Sequence, residues 1–224
     1  MILDKRFIED HNELGYRVHQ RRYDALVGEV PDASSILQKL VAFQVAIPSW
    51  ALGTGGTRFG RFSGGGEPGN LQEKMEDIGL LHALNRSSGA ISLHIPWDIP
   101  EDIPAVRTLA AQLGLEFDAM NSNTFQDQKE QEHSYKFGSL QHVDRKVRAQ
   151  AVQHNIDVIR HGIDLGSKSL TVWLSDGSCF PGQLNFRKAF QNTLEGLKEI
   201  YAALPPDWKM FVEYKAFEPN FYSM

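Results

Sequence analysis

Apolar positions along the chain alternate between two spacings. Short runs rich in β-branched and aromatic residues read as strands: Val41-Ala-Phe-Gln-Val-Ala-Ile47, Ala90-Ile-Ser-Leu-His-Ile95, Leu115-Glu-Phe-Asp-Ala-Met120, Ser169-Leu-Thr-Val-Trp-Leu174 and Met210-Phe-Val-Glu-Tyr-Lys215. Between them, apolar residues recur at helical spacing. One stripe carries Leu71, Met75, Ile78, Leu81 and Leu84. Another, begun by Pro104, carries Val106, Leu109, Ala110 and Leu113. A long helix carries Val143, Val147, Ile156, Ile159 and Ile163, with Gly166 as its C-cap. The last carries Phe186, Phe190, Leu194, Leu197 and Tyr201 and stops at Pro205-Pro206.

Strands alternating with helices predict β/α units around a parallel sheet. Residues 1–40 read as an N-terminal helical extension, with Pro31-Asp32-Ala-Ser-Ser35 starting a second helix; residues 41–224 carry the five units. That number fits an open sheet or the first five strands of a (β/α)8 barrel, a fold that takes about 250 residues. Each option places functional residues just past the carboxyl ends of the strands.

Composition narrows the class. With 42% hydrophobic and 23% charged residues, the chain has the material for a globular core. A formal charge of -5 offers no basic footprint for nucleic acid. The single Cys179 excludes an intramolecular disulfide, charges break up the first ten residues, and no apolar run approaches a bilayer span. The expected location is the cytoplasm.

The residues past the strand ends are Pro48-Ser-Trp50, His94 with Pro96-Trp-Asp98, Asn121-Ser-Asn-Thr-Phe125, Trp173 with Ser175 and Asp176, and Glu213 with Lys215. Indole rings among scattered hydrogen-bonding groups suit a small polyhydroxylated ligand, whose C–H faces stack on rings while polar groups read its hydroxyls. Taken singly, each has a plainer reading. His94 fits a satisfied strand histidine, the tryptophans fit a core, and Glu213 with Lys215, on one face by strand alternation, fits a structural ion pair. Their coincidence at strand ends favours a site. The glycine-rich stretch Gly53 to Gly69 lacks the order of a dinucleotide loop, and Gly166-Ser-Lys-Ser169 lacks Walker A spacing. The stretch reads as a mobile arm. There is no H-E-x-x-H and no cysteine cluster.

Four segments carry a resemblance: Ala46-Ile-Pro-Ser-Trp-Ala-Leu-Gly-Thr-Gly-Gly-Thr-Arg-Phe59, His94-Ile-Pro-Trp97, Thr171-Val-Trp-Leu-Ser-Asp-Gly177 and Val212-Glu-Tyr-Lys-Ala-Phe-Glu-Pro219. Together they resemble bacterial L-rhamnose isomerase, in particular its broad-specificity form. The resemblance implies a xylose-isomerase-like (β/α)8 barrel, a tetramer, and a divalent metal, commonly Mn2+, in aldose–ketose interconversion. It implies Glu213 as a metal ligand, Lys215 at the reacting end of the sugar and His94 against the sugar. Trp50, Trp97, Trp173 and Phe125 would line the pocket, with Phe59 reaching into a neighbouring subunit. The family's other metal ligands follow its fifth strand, so the expectation is an N-terminal part of such an isomerase. A catalytically inactive partial barrel that binds sugar or subunits is the alternative. A metal-dependent barrel epimerase or endonuclease is a third, and the acidic charge and tryptophan-lined mouth argue against nucleic acid.

Overall fold

The computed structural model describes residues 4–53, 65–174 and 184–214. Two helices lead, α1 (Lys5–Glu29) and α2 (Ala33–Ala42). The strand expected from Val41 starts later: Val41 and Ala42 end α2, and β1 is only Ala46–Pro48. An apolar run of this length satisfies a helix end as well as a strand, and Val41 and Phe43 are in fact exposed.

The remaining elements alternate as expected. They are α3 (Leu71–Asn85), β2 (Ala90–Ser92), β3 (His94–Ile95), α4 (Ile103–Leu113), β4 (Glu116–Phe117), β5 (Met120–Ser122), α5 (Arg145–Leu165), β6 (Ser169–Leu174), α6 (Phe186–Ala202) and β7 (Lys209–Tyr214). All pairings are parallel, in the orders β1-β2-β4 and β3-β5-β6-β7. β2 and β3 are two pieces of one strand, as are β4 and β5, so five parallel passes stand side by side in chain order. The caps follow sequence. Asn70, Asp102, Asp144 and Asn185 each accept a backbone N–H of the following first turn. Gly114 and Gly166 close α4 and α5 with φ of 69° and 93°.

One irregularity matters for the site. The carbonyls of Gly89, Ile91 and Leu93 accept from the amides of Glu116, Asp118 and Asn121. One step therefore spans two residues on one strand and three on the other, a β-bulge at Asp118–Met120. Opposite the bulge the register moves from Ala90↔Glu116 to His94↔Asn121. Because side chains alternate, the extra residue sets Asn121 on the same face as His94 and sends Met120 to the other.

The two faces of the sheet differ accordingly. Ile91, Leu93, Ile95, Met120, Leu170 and Val172 are buried beneath the helices. Gly162 of α5 permits that contact: a Cβ there would lie 2.7 Å from Met120 Cγ and 2.6 Å from the Trp208 ring. The opposite face carries the row His94, Asn121, Thr171, Phe211 and, two residues on, the neighbours Trp173 and Glu213. In a barrel this is the interior.

Two predicted stripes are corrected. Val143 precedes α5 and is 85% exposed. On α6, Phe186, Phe190, Leu194 and Tyr201 face outward, while Asn192, Gly196 and Ile200 face inward. Gly196 sits against Leu140, so backbone proximity rather than a large side chain makes that contact.

Candidate functional site

The strand ends of the second, third and fourth passes bring four rings together. His94 lies on β3, and after the cis Ile95–Pro96 bond the chain turns so that Trp97 meets the imidazole nearly edge-on, with centroids 4.7 Å apart. Phe125, in the loop after β5, is 6.0 Å from His94 and 6.1 Å from Trp97. Trp173, near the end of β6, packs on Phe125 at 4.2 Å and 66°. Phe125 and His94 are buried, and the two indoles are partly open. The expected aromatic wall is thus assembled from residues far apart in sequence.

The imidazole at its centre is unusual. Burial pushes the His94 pKa down from 6.5 to about 4, opposed by the Asp98 carboxylate and reinforced by His154 and Lys74. At neutral pH the ring is uncharged, and its Nδ1 has no hydrogen-bond partner among the described residues. A neutral imidazole can both donate and accept, so it can hold a hydroxyl without fixing a charge beside it.

Three groups support this wall, and the strand-end inventory overlooked two of them, Lys74 and His154. Lys74, from α3, forms an ion pair with Asp98 at 2.7 Å, with both side chains almost wholly buried. Asp98 also accepts the His94 backbone N–H at 2.8 Å and the Ser49 hydroxyl. The signal was present: Leu71, Lys74, Met75 and Ile78 share one helical stripe, so a lysine occupies a core position. Third, His154 of α5 accepts the Asn123 amide at 3.0 Å and bonds the Ile95 backbone, tying the ends of β3 and β5. Burial lowers its pKa to about 4 as well.

The other expected residues are less gathered. Trp50 stands on a 3-10 turn, Ser49–Ala51, 45% exposed, directly after the serine that binds Asp98. Glu213 is exposed on β7, in register with Trp173. Lys215, Phe59, Ser175 and Asp176 lie outside the described residues, as does most of the glycine-rich stretch. Among the described residues no three His, Cys, Asp or Glu side chains converge as a metal site. No helix among the described residues is long and apolar enough to cross a membrane.

No family model matches the chain. Over 214 residues it is 51% identical to a probable sugar isomerase of Rhizobium meliloti (strain 1021) and, to the same extent, to one of Mesorhizobium japonicum. Each match takes in 96% of this chain and 48% of the relative, so the chain spans about half the length of the curated relatives it matches. Among solved structures, an L-ribulose 3-epimerase is similar at a TM-score of 0.52 and 18% identity, over 80% of this chain and 52% of that one. A D-allulose 3-epimerase from Methylomonas sp. is similar at a TM-score of 0.52 and 12% identity, over 80% of this chain and 54% of that one. At such identities the structural likeness concerns the fold alone. Five parallel β/α passes in chain order give the chain an α/β barrel-type fold like that of these neighbours, and nearly its whole length is similar in sequence to about half of each probable sugar isomerase.

Proposed function

We propose that this chain is the N-terminal part of a divalent-metal-dependent aldose–ketose isomerase that converts L-rhamnose to L-rhamnulose and accepts related aldoses. The observation that carries the reading is the convergence of His94, Trp97, Phe125 and Trp173 at the strand ends of a chain homologous to sugar isomerases. The rings offer apolar faces to sugar C–H groups, and neutral His94 offers a hydrogen bond to a hydroxyl. Isomerisation moves hydrogen between adjacent oxygen-bearing carbons, so negative charge develops on their oxygens.

A divalent cation, Mn2+ in our proposal, would supply the polarisation of those oxygens. Glu213 is its ligand from this chain, with further ligands from beyond the described residues. Lys215 would stabilise the developing charge. Phe59 closes the pocket of a neighbouring subunit in a cytoplasmic homotetramer, and Trp50 lines the substrate pocket. The test is ketose formation from L-rhamnose and a panel of aldoses with added Mn2+, paired with calorimetric Mn2+ titration, both on the enzyme that contains this chain. An enzyme containing this chain that converts no aldose in the presence of the metal would overturn the reading.

A second reading is a partial barrel that binds sugar or partner subunits without turnover. Calorimetry on the enzyme that contains this chain separates the two: tight Mn2+ binding supports the first, and sugar binding without metal binding supports the second.

A further inference from the structure

We propose that the buried Lys74–Asp98 pair is a positioning pair that sets the substrate wall, by locking the turn that carries Trp97 to the turn that carries Trp50. This rests on the sugar-isomerase reading of the site.

The geometry gathers at one carboxylate. Asp98 Oδ2 accepts the His94 backbone N–H at 2.8 Å, while the Asp98 amide donates back to the His94 carbonyl at 3.0 Å. These two bonds close the turn His94-Ile-Pro-Trp-Asp98 and hold Trp97 over the imidazole. The same Oδ2 accepts the Ser49 hydroxyl, fixing the turn that bears Trp50. The other oxygen, Oδ1, receives Lys74 Nζ at 2.7 Å. The stem of that lysine runs under Gly53, where a Cβ would collide with the Pro68 carbonyl oxygen and lie 3.1 Å from Lys74 Cε. Gly53 and Pro68 thus meet above the pair. One ion pair therefore ties three segments: the ends of the first and second passes, and the junction of Gly53 with Pro68.

Stability alone does not account for such a pair. Two buried charges recover little beyond their desolvation, and apolar residues of similar volume commonly replace them without loss. Here Oδ2 is engaged by two groups that aim wall residues, and Lys74 anchors the other oxygen. Asp98 and Lys74 touch neither sugar nor reacting atoms in this proposal. They act through His94, Trp97 and Trp50.

The test uses Lys74→Met with Asp98→Asn, singly and together, in the enzyme that contains this chain. The double variant leaves no buried charge unpaired, so its melting temperature should return close to wild type, while either single variant melts lower. Asn presents a neutral oxygen, no longer anchored by Lys74, where Asp presented a carboxylate; hydrogen bonds to a neutral acceptor are about half as strong, so the double variant holds the two turns less firmly. Its KM for the aldose should stay raised by roughly tenfold, with kcat at saturating sugar within about twofold of wild type. A double variant with wild-type KM would reduce the pair to a structural one and overturn the proposal. A readout independent of activity comes from the indole N–H resonances of the four tryptophans. Those of Trp50 and Trp97 should shift in the double variant, while that of Trp208, packed against Gly162, stays fixed. If the wild type converts no aldose, the isomerase reading fails, yet this pattern of shifts still supports the positioning role. Unmoved Trp50 and Trp97 resonances would overturn it.

Discussion

Individual side chains at the site are governed mainly by what burial does to charge. His94 and His154 both have pKa values lowered to about 4, against 6.5 when unfolded. The unfolded chain therefore takes up protons that the folded chain refuses as pH falls below 6.5. Stability from this source is complete above pH 6.5 and declines as pH drops toward 4, by at most about 1.4 kcal/mol per pH unit for each histidine. The melting temperature should fall between pH 6.5 and 4, and His154→Gln should flatten that slope. An unchanged slope in the variant would show that His154 is not held neutral by the fold. In the proposed function Glu213 and Lys215 bear on turnover instead. Glu213→Gln should severely weaken Mn2+ binding, measured as activity at limiting metal. Lys215→Met should lower kcat by about 10²-fold, the scale of one lost electrostatic stabiliser, with little change in melting temperature. The reverse pattern for Lys215, a large loss of stability with normal turnover, would indicate a structural ion pair.

Among the elements, the bulge of the third pass decides which residues face the barrel interior. Asn121 Nδ2 donates to the Leu93 carbonyl at 3.1 Å and the Ala119 carbonyl at 3.2 Å, so the side chain spans the irregularity it sits beside. Asn121→Ala should cost about 1–2 kcal/mol in denaturant unfolding, the scale of a lost hydrogen bond that leaves its partner unsatisfied. A loss below about 0.5 kcal/mol would mean the bulge holds without it. The bulge was not legible in Leu115-Glu-Phe-Asp-Ala-Met120, because a single extra residue leaves the apolar count of a short run unchanged. The strands Ala90–Ile95 and Ser169–Leu174 were legible, since their apolar residues fill the helix-covered face and leave no other placement. Val41 to Ile47 was misplaced because nothing in the run separates a helix end from a strand. The aromatic wall followed once strand ends were known. The Lys74–Asp98 pair did not, because its partners are 24 residues apart and only the helical stripe hints at the lysine.

At the scale of the whole molecule, the sheet has two unpaired edges among the described residues. β1 pairs only with β2 over three positions, and β7 pairs only with β6 over six. Phe211 is 50% exposed on the interior face and Val212 is 40% exposed on the other. α1, α2 and α6 also present exposed large apolar side chains, Leu14, Leu40 and Phe190 among them. Open parallel edges and apolar surface favour self-association. The 224-residue chain by itself is expected to associate in sedimentation experiments, to melt with low cooperativity and to show no isomerase activity. A monomer that melts in one sharp transition and makes ketose from aldose would refute this.

The contact between Trp97 and His94 turns the site into its own optical pH meter. An imidazolium quenches excited indole by accepting an electron, whereas neutral imidazole does so weakly. With the rings 4.7 Å apart and the imidazole neutral down to about pH 4, Trp97 emission should stay bright through pH 6. It should dim only near pH 4, when read within milliseconds of an acid jump and before unfolding. Trp97→Phe should erase that transition. Dimming centred near pH 6.5 instead would mean that water reaches His94 and holds its charged form in the folded chain.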